Sequence, residues 1–197
     1  MADFYQENFQ EYHNRTFQID SAIFLDSFIQ HVEDGSLVLD VGCGSGRDLL
    51  WLKEKGYRVL GFERSKGLAE LARNTSGAEV VEGDFEKYNF NSLAVDAALM
   101  SASLVHLPHK KLQSVLRNIA GAVKPGGVIF ISVKEGTGKI TDSENRDFYL
   151  WEKNDLQNII SSLCFEIIQF ERINSSLGNE DVFLSFIVRK TQPSKSS

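Results

Sequence analysis

Leu37-Val38-Leu39-Asp40-Val41-Gly42-Cys43-Gly44-Ser45-Gly46 is the stretch that decides the fold. Its first five residues form a short apolar run, the pattern of a strand buried on both faces. Three alternate glycines end the run and predict a tight turn. Leu49, Leu50 and Leu52 then recur at helical spacing until Gly56, a C-terminal stop. The same strand-turn-helix unit repeats downstream. Tyr57 to Phe62, Ala78 to Val81, Val95 to Met100 and Val128 to Val133 read as strands, and Lys66 to Asn74 and Lys110 to Val123 as helices, with a turn at Pro125-Gly126-Gly127. Asn154 to Leu163 reads as a further helix, and Phe165 to Phe170 and Val182 to Val188 as closing strands. Alternating units of this kind predict an α/β fold, a doubly wound parallel sheet with right-handed crossovers.

Upstream of this core, Ile23, Phe24 and Phe28 place a helix near Ser21 to His31, and Phe4 to Phe17 reads as another. Residues 1–34 are expected to form a helical lid on a single domain spanning 1–190, with the core at 37–190 and a polar, disordered tail at 191–197. A chain of 197 residues with 42% hydrophobic content supports one sizeable core. Lys and Arg number 21 against 27 Asp and Glu, a formal charge of −6, which disfavours broad binding to nucleic acid or anionic lipid. No apolar run approaches the ~20 residues of a membrane helix, and the N-terminal residues lack the pattern of a secretory signal. A cytoplasmic protein is expected. Cys43 and Cys164 are far apart, with no CxxC spacing and no nearby His, so neither a metal site nor a disulfide is expected.

In a doubly wound sheet, ligands bind beyond the carboxyl ends of the strands, where strand order reverses. The residues that follow the strands therefore name the ligand. A dinucleotide fingerprint requires GxGxxG, whereas here the third glycine comes early, at Gly46, and Arg47 follows it. Asp40 suits the ammonium of a zwitterion better than a phosphate. Glu63, after the second strand, can accept hydrogen bonds from both hydroxyls of a ribose. Asp84 can accept from an adenine amino group, with Phe85 as an apolar edge for the base. An ammonium, a ribose diol and an adenine together describe a nucleoside with an amino acid attached.

On these residues the chain resembles the class I methyltransferase family, through LVLDVGCGSG (37–46), RVLGFERS (58–65), VEGDF (81–85), VDAALMSASLVHLP (95–108) and VKPGGVIFISVKEG (123–136), in the family's order and spacing. The resemblance runs from about Leu37 to Val188. It implies a Rossmann-like, seven-stranded, mostly parallel sheet with a C-terminal antiparallel strand and helices on both faces, and S-adenosylmethionine as cofactor. SASLVHLP, SVKEGTG and Arg146-Asp147-Phe148 look like small bacterial relatives of the tellurite-resistance or type-11 and type-12 kind. Relatives of that branch often carry Asp where this chain has Glu63.

The expected cofactor contacts are Tyr12, Asp40, Gly42, Gly44, Gly46, Arg47, Glu63, Arg64, Asp84, Phe85 and Ser101. Arg47 is placed to reach a methionine carboxylate. Tyr5, Phe9 and Tyr12 are spaced to form an aromatic lid over a sulfonium. Small residues at Ser101, Ala102 and Ser103 leave room for it, and His106 is the candidate general base. Lys134, Lys139 and Arg146, in the long polar segment from Lys134 to Trp151, would favour an anionic acceptor. The expected function is methyl transfer to a small molecule. A cofactor-binding domain without turnover, a protein or nucleic-acid acceptor, and a nicotinamide-dependent enzyme are the alternatives.

Overall fold

A computed structural model describes residues 2–191. Seven strands form the central sheet: β1 (Leu37–Val41), β2 (Arg58–Glu63), β3 (Glu79–Glu82), β4 (Val95–Met100), β5 (Val123–Lys134), β8 (Phe165–Asn174) and β9 (Val182–Lys190). Their order is β3-β2-β1-β4-β5-β9-β8. The five strands β1 to β5 pair in parallel, and β9 lies antiparallel to both β5 and β8. The expected mostly parallel sheet with an antiparallel C-terminal strand is what forms. Strand order reverses beside β1, between β2 and β4, so the turn after Val41 opens at the switch point.

β1 is apolar on both faces because both are covered. Leu39 and Val41 join the core formed with α6 (His109–Ala120) and α7 (Lys153–Ser162), through Leu112, Leu116, Ile119, Leu156 and Ile160. Val38 faces the other way, with Leu25 and Phe28 of α3 (Ala22–Ile29) and Leu52 of α4 (Arg47–Glu54). Cys43 is buried with Leu49 of α4 and Ala69 and Ala72 of α5 (Lys66–Ser76), filling a small apolar space. Asp96 breaks the apolar pattern of β4; its carboxylate accepts from Leu37 N at 2.8 Å and Lys124 Nζ at 2.6 Å.

The third glycine of the turn serves packing. Gly46 has φ +86°, and a Cβ there would lie 2.8 Å from Ala72 Cα of α5. Gly46→Ala combines left-handed strain of about 1–2 kcal/mol with backbone overlap, so a loss of about 2–4 kcal/mol is expected in urea unfolding. An unchanged midpoint would show that α5 is free to move away.

Three local differences from the sequence reading have physical causes. Phe4 to Phe17 divides into α1 (Ala2–Glu7) and α2 (Phe9–Thr16), joined at Asn8. The turn at Pro125–Gly127 is absorbed into β5, where the register jumps from Val95↔Val123 to Ala97↔Val128. The segment after Lys134 is not a plain loop: β6 (Lys139–Thr141) and β7 (Asp147–Tyr149) form an antiparallel ribbon. The ribbon's strands are too short and polar to show an alternating pattern. Of the tail expected to be disordered, 192–197 lies outside the described residues.

Candidate active site

The turn from Gly42 to Gly46 is anchored on its neighbour strand, with Gly42 N and Cys43 N donating to Phe62 O at 2.7 and 3.2 Å. Gly42 has φ +77°, and a Cβ there would overlap Ser103 Cβ, so only glycine lets the turn pass beneath the loop after β4. Glu63 ends β2 as a clamp between two turns. Its Oε2 accepts from Gly44 N at 3.0 Å, and its Oε1 accepts from Arg64 N and Ser65 N, both at 2.8 Å. Burial raises the Glu63 carboxyl above its ordinary value, and these backbone N–H bonds pull it back down.

These turns line a cleft at the carboxyl ends of the strands, where a doubly wound sheet binds its ligand. Tyr12, Gly42, Gly44, Glu63, Arg64, Asp84, Phe85, Ser101 and His106 all stand in its wall, with Tyr5, Ala102 and Ser103 beside them. Nine of the twelve residues expected to hold the cofactor or act as base are thus brought to one place from five separate segments. Three others lie outside this wall. Gly46 packs on α5 as described. Arg47 forks onto Asp48, with Nε 2.7 Å from Oδ1 and Nη2 3.0 Å from Oδ2, and lines a neighbouring cleft. Asp40 is 2% exposed, and its Oδ2 has no hydrogen-bond partner. Burial holds the Asp40 carboxyl well above the usual carboxylate range, and the nearby acids Asp48 and Glu63 add to the shift.

The N-terminal helices cover this cleft. Ser65 Oγ donates to Tyr5 O at 2.8 Å, Lys66 N donates to Gln6 Oε1 at 2.9 Å, and Gly67 leaves room for the Phe9 ring. Tyr5 and Tyr12 meet edge to face at 5.1 Å in the cleft wall, whereas Phe9 is spent on packing against α5. Of the three aromatics expected to form a lid, Tyr5 and Tyr12 stand in the cleft wall.

Sequence reasoning singled out His106 but missed its partner. His106 Nδ1 lies 2.6 Å from Asp147 O of the ribbon, and Nε2 lies 2.7 Å from Tyr5 Oη. A carbonyl only accepts, so Nδ1 carries the proton and the neutral ring offers its Nε2 lone pair to the Tyr5 hydroxyl. Burial lowers the His106 pKa and so favours this neutral form. Burial likewise raises the Tyr5 pKa, keeping the phenol protonated. Tyr5 and His106 are 101 positions apart and no local pattern links them. Beside them Ala102 takes φ 52°, a left-handed conformation, and its N–H donates to Ser132 Oγ at 3.0 Å. Strain of this kind gathers at functional sites. Among the described residues there is no group of three or more His, Cys, Asp or Glu that could hold a metal, and no helix long and apolar enough to cross a membrane.

The sheet order and the glycine turn at its switch point define a class I methyltransferase fold. Residues 38–127 match a family described as a methyltransferase domain. Among curated relatives it is similar to a cypemycin N-terminal methyltransferase of a Streptomyces species, 37% identical over 103 residues, covering 50% of this chain and 42% of the relative. The matched region spans less than half the length of the curated relatives. Among solved structures the chain is similar to the 1,6-didemethyltoxoflavin-N1-methyltransferase of Burkholderia thailandensis, with bound 1,6-didemethyltoxoflavin and S-adenosylhomocysteine. The TM-score is 0.74 at 21% identity, covering 97% of this chain and 85% of that one. It is also similar to the magnesium protoporphyrin IX methyltransferase of Synechocystis PCC 6803 with bound S-adenosylhomocysteine, at a TM-score of 0.74 and 14% identity, covering 96% and 98%. These two likenesses concern the fold.

Proposed function

We propose that the chain is a methyltransferase that binds S-adenosylmethionine in the cleft around Glu63 and methylates a small molecule. The observation that carries this reading is the Glu63 carboxylate, held in the cleft wall by Gly44 N and facing the same space as Asp84, Tyr12 and the glycine turn. The residues present fit the cofactor. At Gly42 and Gly44, both in the cleft wall, the turn carries no side chain that would fill the cradle. When bound, S-adenosylmethionine would supply an electrophilic methyl group on a sulfonium. Glu63 would hold the ribose, Asp84 and Phe85 the adenine, and Tyr12 with Ser101 the methionine end.

The protein's own contribution to the chemistry is alignment, exclusion of water and proton transfer. An acceptor hydroxyl would give its proton to Tyr5 Oη as Tyr5 passes its own to His106 Nε2, and Asp147 O would steady the imidazolium so formed. The similar folds named for methylation of 1,6-didemethyltoxoflavin and magnesium protoporphyrin IX support the small-molecule reading. Calorimetric titration of the full chain is expected to show saturable binding of S-adenosylmethionine and S-adenosylhomocysteine and none of a nicotinamide dinucleotide. The reverse order would overturn the assignment of the cleft.

A further inference from the structure

Two further clefts adjoin the one around Glu63, and all three share Tyr12 and Ala102. The second has Ile19, Phe24, Ile173 and Phe183 in its wall; the third runs between the β6–β7 ribbon and the loop joining β8 to β9. These two also share Thr16, Ser175, Leu177 and Phe183, so they adjoin each other and make one space beside the Glu63 cleft. We propose that this space is the acceptor site and that it takes an uncharged, largely apolar molecule carrying one hydrogen-bonding group. The inference rests on the methyltransferase reading above and names its substrate class.

The charges that would favour an anion are already answered by the protein. Lys134 Nζ lies 2.6 Å from Asp181 Oδ2, Arg146 Nη2 lies 2.7 Å from Asp142 Oδ2 and 2.6 Å from Glu144 Oε2, and Arg15 Nη1 lies 3.7 Å from Glu144 Oε1. Lys139, the third expected cation, pairs with Asp147 at 3.1 Å. In the second cleft Arg47 is bound by Asp48. Lys134 and Arg146 also sit over the Phe148 ring, at 4.0 and 5.3 Å from its centroid, so both cations are held against the wall. An acidic acceptor would have to break pairs that cost little to keep and much to separate in a half-buried site.

The apolar surface points the same way. Among the described residues three large apolar side chains stand well exposed, and two of them, Ile140 at 44% and Leu177 at 47%, rim this cleft on opposite hairpins. A further sign is on the wall: Ser185 is 4% exposed, lines the second cleft, and its Oγ has no partner. A buried hydroxyl without a partner is costly, and a single donor or acceptor on the bound molecule would satisfy it.

The test titrates the full chain, saturated with S-adenosylhomocysteine, with 1-naphthol and with 1-naphthyl phosphate, which share a ring system and differ in charge. Naphthol is expected to bind at least tenfold more tightly than the phosphate. Leu177→Asp, an exposed change, is expected to weaken naphthol at least tenfold and leave S-adenosylhomocysteine affinity unchanged; Ser185→Ala is expected to weaken naphthol a few-fold. Equal or tighter binding of the phosphate, absence of naphthol binding, or naphthol affinity indifferent to Leu177→Asp would each overturn the proposal while the cofactor reading stands. Loss of S-adenosylhomocysteine binding in the unaltered protein would instead overturn that reading.

Discussion

Replacing His106 by Gln is expected to lower turnover by about 10²–10⁴-fold while leaving S-adenosylhomocysteine affinity unchanged, because a positioned general base contributes in that range. The ring contributes an acceptor at Nε2, and glutamine, though able to hydrogen-bond, takes up no proton near neutral pH. Tyr5→Phe removes the hydroxyl that meets His106 Nε2, which we propose relays the acceptor's proton, and is expected to give a similar loss. The pH dependence follows from the lowered His106 pKa. The neutral, active form persists below the ordinary value of about 6.5, so the acid limb of kcat should fall at a lower pH than a solvated imidazole would give. Stability begins to fall at a higher pH than activity does. From about pH 6.5 downward the unfolded chain binds a proton that the native ring refuses, so folding stability decreases as pH falls toward the native pKa. His106→Gln should flatten that slope. Full activity with an unchanged acid limb would remove His106 and Tyr5 from the reaction, and the S-adenosylhomocysteine formed from the donor in the presence of an active acceptor measures it.

Glu63→Ala is expected to weaken S-adenosylhomocysteine binding by about 1–3 kcal/mol for the ribose bonds alone. The same change removes the acceptor for Gly44 N, Arg64 N and Ser65 N, so the two turns lose their common clamp. A buried N–H left without a partner costs about 1–3 kcal/mol, and thermal unfolding of the ligand-free protein should register it. Glu63→Gln separates the two contributions. It can keep an oxygen for Arg64 N and Ser65 N while turning an N–H₂ toward Gly44 N, so it should be destabilised less than the alanine variant. Calorimetry on both variants decides the matter: unchanged affinity with lowered stability would mean that Glu63 serves only the turns.

How much of this was written in the chain depends on the distance over which each signal acts. The strand at Leu37–Val41, its glycine turn and the helix beyond are local in sequence, and apolar run, turn and helical period all agree there. The same holds for Glu63 and Asp84, which follow strands whose ends must converge in any doubly wound sheet. The β6–β7 ribbon carried no such signal, since three-residue strands of mixed polarity are stabilised by the site they cover. Arg47 shows the limit within a single turn: its position suited a carboxylate ligand, yet its neighbour Asp48 holds the guanidinium, and Ser21 Oγ, 2.6 Å from Asp48 Oδ1, holds that carboxylate in turn.

By itself the sequence determined the order of strands and helices, the glycine turn and the acids that surround it, because periodicity and backbone freedom are properties of neighbouring residues. Only the tertiary structure decided that Tyr5 rests on His106, that Lys134, Lys139 and Arg146 are neutralised, and that Ser185 is left without a partner. Each depends on charges or hydroxyls meeting across long stretches of chain, and such meetings are settled by packing.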